Sequence, residues 1–150
     1  MPSDHHITEY TYKLVENDSE LKHAFELRRQ VFVEEQGIAE DLVFDGRDAE
    51  AMHVVARHGE QVIGTGRVRF PEAGQAKLER MAVLKPFRGT GAGRGIMSFL
   101  IEELKRRQIK KVVLHAQYGA VGFYKACGCE ALGSPFWEAG IKHLKMEMKI

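Results

Sequence analysis

Four glycines at every second position, Gly89, Gly91, Gly93 and Gly95, separate a short alternating apolar segment from a long amphipathic one. The stretch over residues 77–107 reads KLERMAVLKPFRGTGAGRGIMSFLIEELKRR. It predicts a strand over residues 77–84, a glycine-rich turn and a long helix. At a helix N-terminus the first backbone N–H groups lack partners and the dipole is positive, so an anion such as phosphate is favoured there. Glycine admits positive φ and lets a ligand approach the backbone closely. Arg88 stands at the entrance of the turn. Tight helix–strand packing is the other reason to place glycines here, and four alternating ones exceed what packing needs.

The rest of the chain reads as scaffold for this element. Residues 8–15 alternate weakly, as a first strand. Asn17, Asp18 and Ser19 are N-caps for a following helix, and Leu21, Ala24, Phe25, Val31 and Phe32 share one of its faces. Arg28 falls in the middle of that face, with Glu35 nearly in line two turns later. Either the pair sits at the stripe's exposed end, or Arg28 is a structural ion-pair partner, or this part of the helix borders a polar cleft. Gly37 is placed to end the helix as a C′ glycine. The acidic segment over residues 38–50, IAEDLVFDGRDAE, reads as a solvated loop. Its Glu40, Asp41, Asp45 and Asp48 would equally suit a cationic substrate.

Strands over residues 52–57 and 61–70 are joined by the hairpin signal His58-Gly59-Glu60, and the turn at 71–75 leads into the strand at 77–84. These three strands predict an antiparallel meander. The apolar strand at 111–116 follows a helix, so at least one strand pair is parallel. A short helix over 119–126, a brief strand over 129–132, a loop over 133–140 and a final strand over 141–150 complete a mixed sheet. The fold class is α+β, in a single domain over residues 1–150 whose core begins near residue 8.

The net charge of +1 offers no case for nucleic-acid or membrane binding. No apolar run approaches the roughly 20 residues of a membrane span, and the N-terminus lacks the basic and apolar regions of a secretory signal. Cys127 and Cys129 are too close for an unstrained bridge and too few for a zinc site. They read as free thiols in a reducing cytoplasm.

Three anion-cradling motifs compete for the turn. The P-loop pattern fails because no Lys-Ser or Lys-Thr follows the glycines. The dinucleotide pattern fails because its third glycine would fall on Arg94 or Ile96. The pattern R-x-x-G-x-G is satisfied by Arg88, Gly91 and Gly93. It closely resembles the coenzyme A pyrophosphate loop of the GNAT superfamily of N-acetyltransferases. The order of elements over residues 8–150 is similar to that fold as well. Ala116-Gln117 followed by Phe123-Tyr124-Lys125-Ala126-Cys127-Gly128 looks like the family's A-x-x-F-Y-x-x-x-G segment. A narrower likeness runs through Arg28, Val31-Phe32-Val33, Glu35-Gln36, Asp45-Gly46, Asp48, His53 and Glu138-Ala139-Gly140-Ile141-x-His143. These resemble a bacterial subgroup of small acetyltransferases labelled by analogy with glucosamine-6-phosphate acetyltransferase.

The resemblance implies an acetyl-CoA-dependent N-acetyltransferase that moves an acetyl group directly to a small-molecule primary amine, with homodimers common among such proteins. A non-catalytic acyl-CoA-binding module is the alternative. Backbone groups of Met81, Ala82 and Val83 would align the pantetheine like an added strand. Gly89, Thr90, Gly91, Ala92, Gly93 and Arg94 would take the pyrophosphate, with Arg88 at the loop entrance. Tyr124 matches the family's general acid, and a phenol of ordinary pKa about 10 is protonated at neutral pH. Base candidates are Glu79, expected to share a face with Met81 and Val83, and His53, His115 and His143; a water chain is a further possibility. Arg28, Glu35, His53 and His143 would serve the acceptor side. No metal is called for.

Overall fold

The computed structural model describes residues 9–150. Seven strands form one sheet: β1 (Thr11–Leu14), β2 (Met52–His58), β3 (Gln61–Glu72), β4 (Gln75–Val83), β5 (Lys111–Gln117), β6 (Glu130–Glu138) and β7 (Ile141–Lys149). Their order is β1-β2-β3-β4-β5-β7-β6. The β4–β5 pair is parallel, as the helical crossover requires, and the other pairs are antiparallel. Thr8, the first residue of the expected opening strand, lies outside the described residues.

Helix α1 (Asp18–Arg28) starts where Asn17 Oδ1 accepts the Glu20 N–H at 2.9 Å. It continues as a π-helical segment, Arg29–Glu35, before Gly37 ends it with φ +73°. The acidic segment is not a plain loop, for it contains the single turn α2 (Glu40–Val43). Helix α3 (Ala92–Arg106) buries Ile96, Met97, Leu100 and Leu104 against one face of the sheet. Burial of each such side chain contributes roughly 1.5–3 kcal/mol. The short α4 (Val121–Ala126) carries Tyr124 into the same core. On the opposite face α1 and its extension bury Leu27, Val31 and Phe32 with Val43 and Ala82.

Two irregularities shape the sheet around its centre and its far edge. On β4 the pairing passes from Arg67–Glu79 to Thr65–Ala82, so two β4 residues oppose one on β3, and Arg80 takes φ +54°. This is a β-bulge. It reverses the facing of every later residue: a Cβ on Gly66 would lie 3.5 Å from Met81 Sδ and 3.6 Å from Leu78 Cδ1, so these residues three apart share a face. Glu79 therefore does not share a face with Met81 and Val83. The alternation rule that predicts it holds only for an unbroken strand.

The second irregularity is in β6, which continues to Glu138 across a shift between Leu132 and Phe136; residues 133–138 are not the loop expected. Pro135 is tolerated there because β6 is an edge strand and the ladder is already interrupted. Ala139 and Gly140, at φ +53° and +75°, make the tight turn into β7.

Candidate active site

β4 and β5 pair only from Gln75–Lys111 to Leu78–Leu114. Beyond that point the strands part, leaving the edge of β4 over residues 79–83 without a strand partner on that side. A cleft of about 390 Å³ opens between them. Met81, Leu114 and Tyr124 reach it from the α3 core, whereas Val31, Phe32 and Ala82 reach it from the α1 core. The cleft thus lies at the level of the sheet and is lined from both of its faces.

Arg88 lines one end of the cleft, and the glycine turn follows it in the chain, although Gly89 to Arg94 are not among the lining residues. Gly89 and Gly91 have φ of +76° and +93°, and a Cβ on either would meet nothing within 4 Å. Gly91 is the N-cap of α3 and supplies no side chain to cap it, so the helix's first N–H groups are left for a ligand. Gly93 and Gly95 serve a different purpose. A Cβ on Gly93 would sit 3.2 Å from Phe123 Cζ, and one on Gly95 would sit 1.8 Å from the Tyr12 hydroxyl oxygen. Packing therefore accounts for two of the four glycines, and Gly89 and Gly91 are the ones in excess of what packing needs. Thr90 hydrogen-bonds the Tyr10 hydroxyl at 2.6 Å and donates to the Phe87 carbonyl. Ala92 and Arg94 lie in the first turn of α3.

Arg88 does not hang free at the loop entrance. Its Nε donates to the Val83 carbonyl at 2.8 Å, and its two terminal nitrogens donate to Glu35 at 2.6 and 2.8 Å. This bidentate bond holds the Glu35 carboxyl below the usual range. Two residues assigned to opposite halves of the site are partners. Beside them, Gln36 accepts from the Gln117 amide at 2.8 Å, so the π-helical segment is tied to both arms of the cleft.

Beneath the cleft lies a buried charge network. Arg28 and Arg67 are wholly inaccessible. Arg28 donates to Asp48 at 2.6 Å and meets His53 Nδ1 at 2.8 Å. Arg67 donates to Asp45 at 2.8 and 3.0 Å, to Asp48 at 3.1 Å and to Glu79 at 2.9 Å. Burial alone would lower the Arg67 pKa, but the three carboxylates raise it instead. The Asp45 carboxyl is held well below the usual range by Arg67. Asp45 and Asp48 are therefore not free for a cationic substrate: internal arginines occupy them, although Asp45 keeps an exposed edge. Arg28 and His53, expected on the acceptor side, do not line the cleft. His53 is pushed down by burial. Arg67, the centre of this network, is missing from the sequence-based candidates, although a charge inside the mostly apolar residues 61–70 is the same cue that marks Arg28.

Glu79 does line the cleft, but its carboxylate is committed. It accepts from Arg69 at 2.6 and 3.1 Å as well as from Arg67. Burial raises its pKa, yet the Arg69 hydrogen bonds and the charges of Arg67, Arg69 and Lys77 outweigh that and hold it at about 2. A carboxylate of that kind is a poor proton acceptor near neutrality.

Tyr124 lines the cleft and is 7% exposed; burial pushes its phenol further above the ordinary value, so it stays protonated. Burial likewise raises Cys127 and takes Cys129 to about 11, which leaves neither a ready thiolate nucleophile. His115 and His143 both line the cleft together with Glu138. In the sequence Glu138 stands out only as part of a motif, because the tight turn that aims it looks like loop. Among the described residues, no helix is long and apolar enough to cross a membrane, and no group of three or more His, Cys, Asp or Glu is placed to hold a metal ion.

Residues 10–150 match the family model described as an acetyltransferase (GNAT) domain. The chain is 38% identical over 141 residues to the uncharacterized protein YyaT of Bacillus subtilis, covering 92% of this chain and 95% of that one. It is 39% identical over 134 residues to the uncharacterized N-acetyltransferase YjcF of the same organism, covering 89% and 95%. A crystal structure of an acyl-CoA N-acyltransferase from Pseudomonas aeruginosa superposes with a TM-score of 0.81 at 26% identity, covering 93% of this chain and 99% of that one. On the match to the family model over almost the whole chain and the likeness to these relatives, the chain belongs to the GNAT acetyltransferases.

Proposed function

We propose that the protein transfers an acetyl group from acetyl-CoA directly to a primary amine of a small molecule. The observation that carries this reading is the continuous donor track. The unpartnered edge of β4 over residues 79–83 is followed, after a single 3-10 turn at Lys85–Phe87, by the positive-φ glycines at the uncapped start of α3. Main-chain groups of Met81, Ala82 and Val83 would receive the pantetheine as an added strand, and the N–H groups from Gly89 to Arg94 the pyrophosphate. Open space at Gly89 and Gly91 fits a ligand lying against the backbone. Bound there, coenzyme A supplies the thioester; the chain's own part is to orient it and to manage protons. The Tyr124 hydroxyl, protonated and in the cleft, donates to the departing sulfur. Glu79 is better read as a positioning residue for β3 and β4 than as the base, given its three cationic partners.

The acceptor is a primary amine with no phosphate required, because Arg28, the cation expected on the acceptor side, is spent on Asp48. A crystal structure with the same fold, an aminoglycoside 6′-N-acetyltransferase, is complexed with coenzyme A. Tyr124→Phe tests the reading: turnover should fall about 100-fold or more, the usual range for a positioned acid, while coenzyme A affinity stays within about two-fold. Equal turnover in both proteins would remove the acid role. Coenzyme A binding with no amine acetylated would favour a binding module.

A further inference from the structure

The proton acceptor and the acceptor's ammonium need a site, and Glu79 does not supply one. On the far side of the cleft, three side chains from three strands converge on one face. Gln117 pairs with His143, and Phe136 pairs with His143 from the other side, so β5, β7 and β6 present His115, His143 and Glu138 together. The opposite face of the same strands carries Leu114, Ala116 and Met146 into the α3 core.

Hydrogen bonds fix how these groups present themselves. His143 Nδ1 lies 2.7 Å from the Ile141 carbonyl oxygen. A carbonyl only accepts, so Nδ1 carries the proton and Nε2 of the neutral ring carries the lone pair. His115 Nδ1 lies 3.0 Å from Glu138 Oε1 and donates to it, which holds the carboxylate in place. Glu138 Oε2 is then 3.9 Å from His143 Nε2. That gap is too long for a direct hydrogen bond and well sized for an N–H-bearing atom bonded to both. Phe136 stacks on His143 with centroids 5.9 Å apart and meets His115 edge-on at 5.1 Å, which limits the freedom of both rings.

We propose that Glu138 Oε2 and His143 Nε2 form the seat of the acceptor's ammonium and that His143 is the general base. His115 is a positioning residue acting through Glu138. The inference rests on the acetyl-transfer reading. An alkylammonium bound between the two acceptors gives one proton to His143 Nε2. The freed lone pair forms the C–N bond to the thioester carbonyl carbon as the C–S bond breaks. The nitrogen sheds a second proton, and the departing sulfur gains one from Tyr124, which is reprotonated in turn. One proton leaves to solvent through His143, and charge and atoms balance. Glu138 steadies the imidazolium while it lasts.

The test uses the full chain with n-propylammonium as probe and imidazole-nitrogen NMR as readout. The His143 ring should report the Nδ1–H tautomer and shift saturably with n-propylammonium, but not with tetramethylammonium, which has no N–H. Glu138→Gln should weaken that binding about ten-fold or more, the scale of a lost charged hydrogen bond. In single-turnover transfer from acetyl-CoA to n-propylamine, His143→Gln should lose about 100-fold in rate. His115→Gln should raise KM with kcat within about three-fold. Coenzyme A affinity, measured in parallel, should be unchanged in all three variants. A silent His143 signal, indifference to Glu138→Gln, no transfer by the wild type, or an unchanged rate in His143→Gln overturns the proposal. Intact coenzyme A binding in any of those cases leaves the donor reading standing; its loss in the wild type removes that reading instead.

Discussion

The two ends of the cleft are built from different materials. The proposed donor end is main chain: an unpaired strand edge, two glycines at positive φ and the uncapped start of α3. The proposed acceptor end is side chain, set beside a buried network in which Arg28, Arg67 and Arg69 are matched by Asp45, Asp48 and Glu79. Within that end a further contrast appears. The arginine network is saturated, so its carboxylates are weak bases that stiffen β3, β4 and the acidic segment. The cluster of His115, His143 and Glu138 keeps acceptor capacity in reserve. Rigidity and reactivity are thus assigned to neighbouring charge clusters, and only the second has anything left to offer a substrate.

The comparison breaks first at Arg67. Arg67→Met leaves Asp45 and Glu79 without a buried partner and should cost about 3–5 kcal/mol, measured by urea unfolding. A loss below about 1 kcal/mol would mean that the network is not what holds this end together. Next come the glycines, which separate packing from ligand binding. Gly95→Ala drives a Cβ into Tyr12 and should lose about 1–3 kcal/mol of stability. Gly91→Ala meets open space and should lose only about 1 kcal/mol, from its positive φ, while weakening coenzyme A binding by far more than Gly95→Ala does. Equal effects on affinity would erase the distinction between the two pairs of glycines.

Glu79 gives a pH signature. Its folded pKa of about 2 lies below the ordinary 4.5, so the fold favours the charged form. That contribution is fully present above about pH 4.5 and is lost as pH falls through about 2. Stability of Glu79→Gln, followed by thermal melts, should therefore converge on the wild type as pH drops across that window. A constant offset would assign the loss to packing instead. The smallest effect is expected at Glu35, which is half-exposed and acts on the exposed Arg88. Glu35→Gln should change melting by no more than the few tenths of a kcal/mol typical of surface pairs, and, by leaving the Arg88 charge uncompensated, should make coenzyme A binding more sensitive to salt.

The same division explains what is readable in the chain. The donor end lies within residues 77–95, so local pattern exposes it: strand, glycines, helix, and Arg88 at the entrance. The proposed acceptor end and the network beside it are assembled from α1, the acidic segment, β3, β4, β5, β6 and β7, and no local rule foretells such pairings. Arg28 and Asp48 stand out individually, but nothing in spacing says that they are partners. The bulge at Arg80 has no glycine or proline to announce it, because the αL conformation is held by its guanidinium bonds to the Leu42 and Val43 carbonyls at 2.8 and 3.0 Å. It moves Glu79 off the face that strict alternation would share with Met81. From sequence β6 looks short because Gly133 and Pro135 resemble loop, whereas an edge strand tolerates both.

Hydrogen exchange of the backbone amides with and without coenzyme A tests the central claim most directly. The account predicts saturable binding of one coenzyme A per chain, with added protection confined to residues 81–83 and 89–94 and little change in the Arg28, Arg67 and Asp48 network. No binding at millimolar coenzyme A, or protection that avoids the β4 edge and the start of α3, would contradict it.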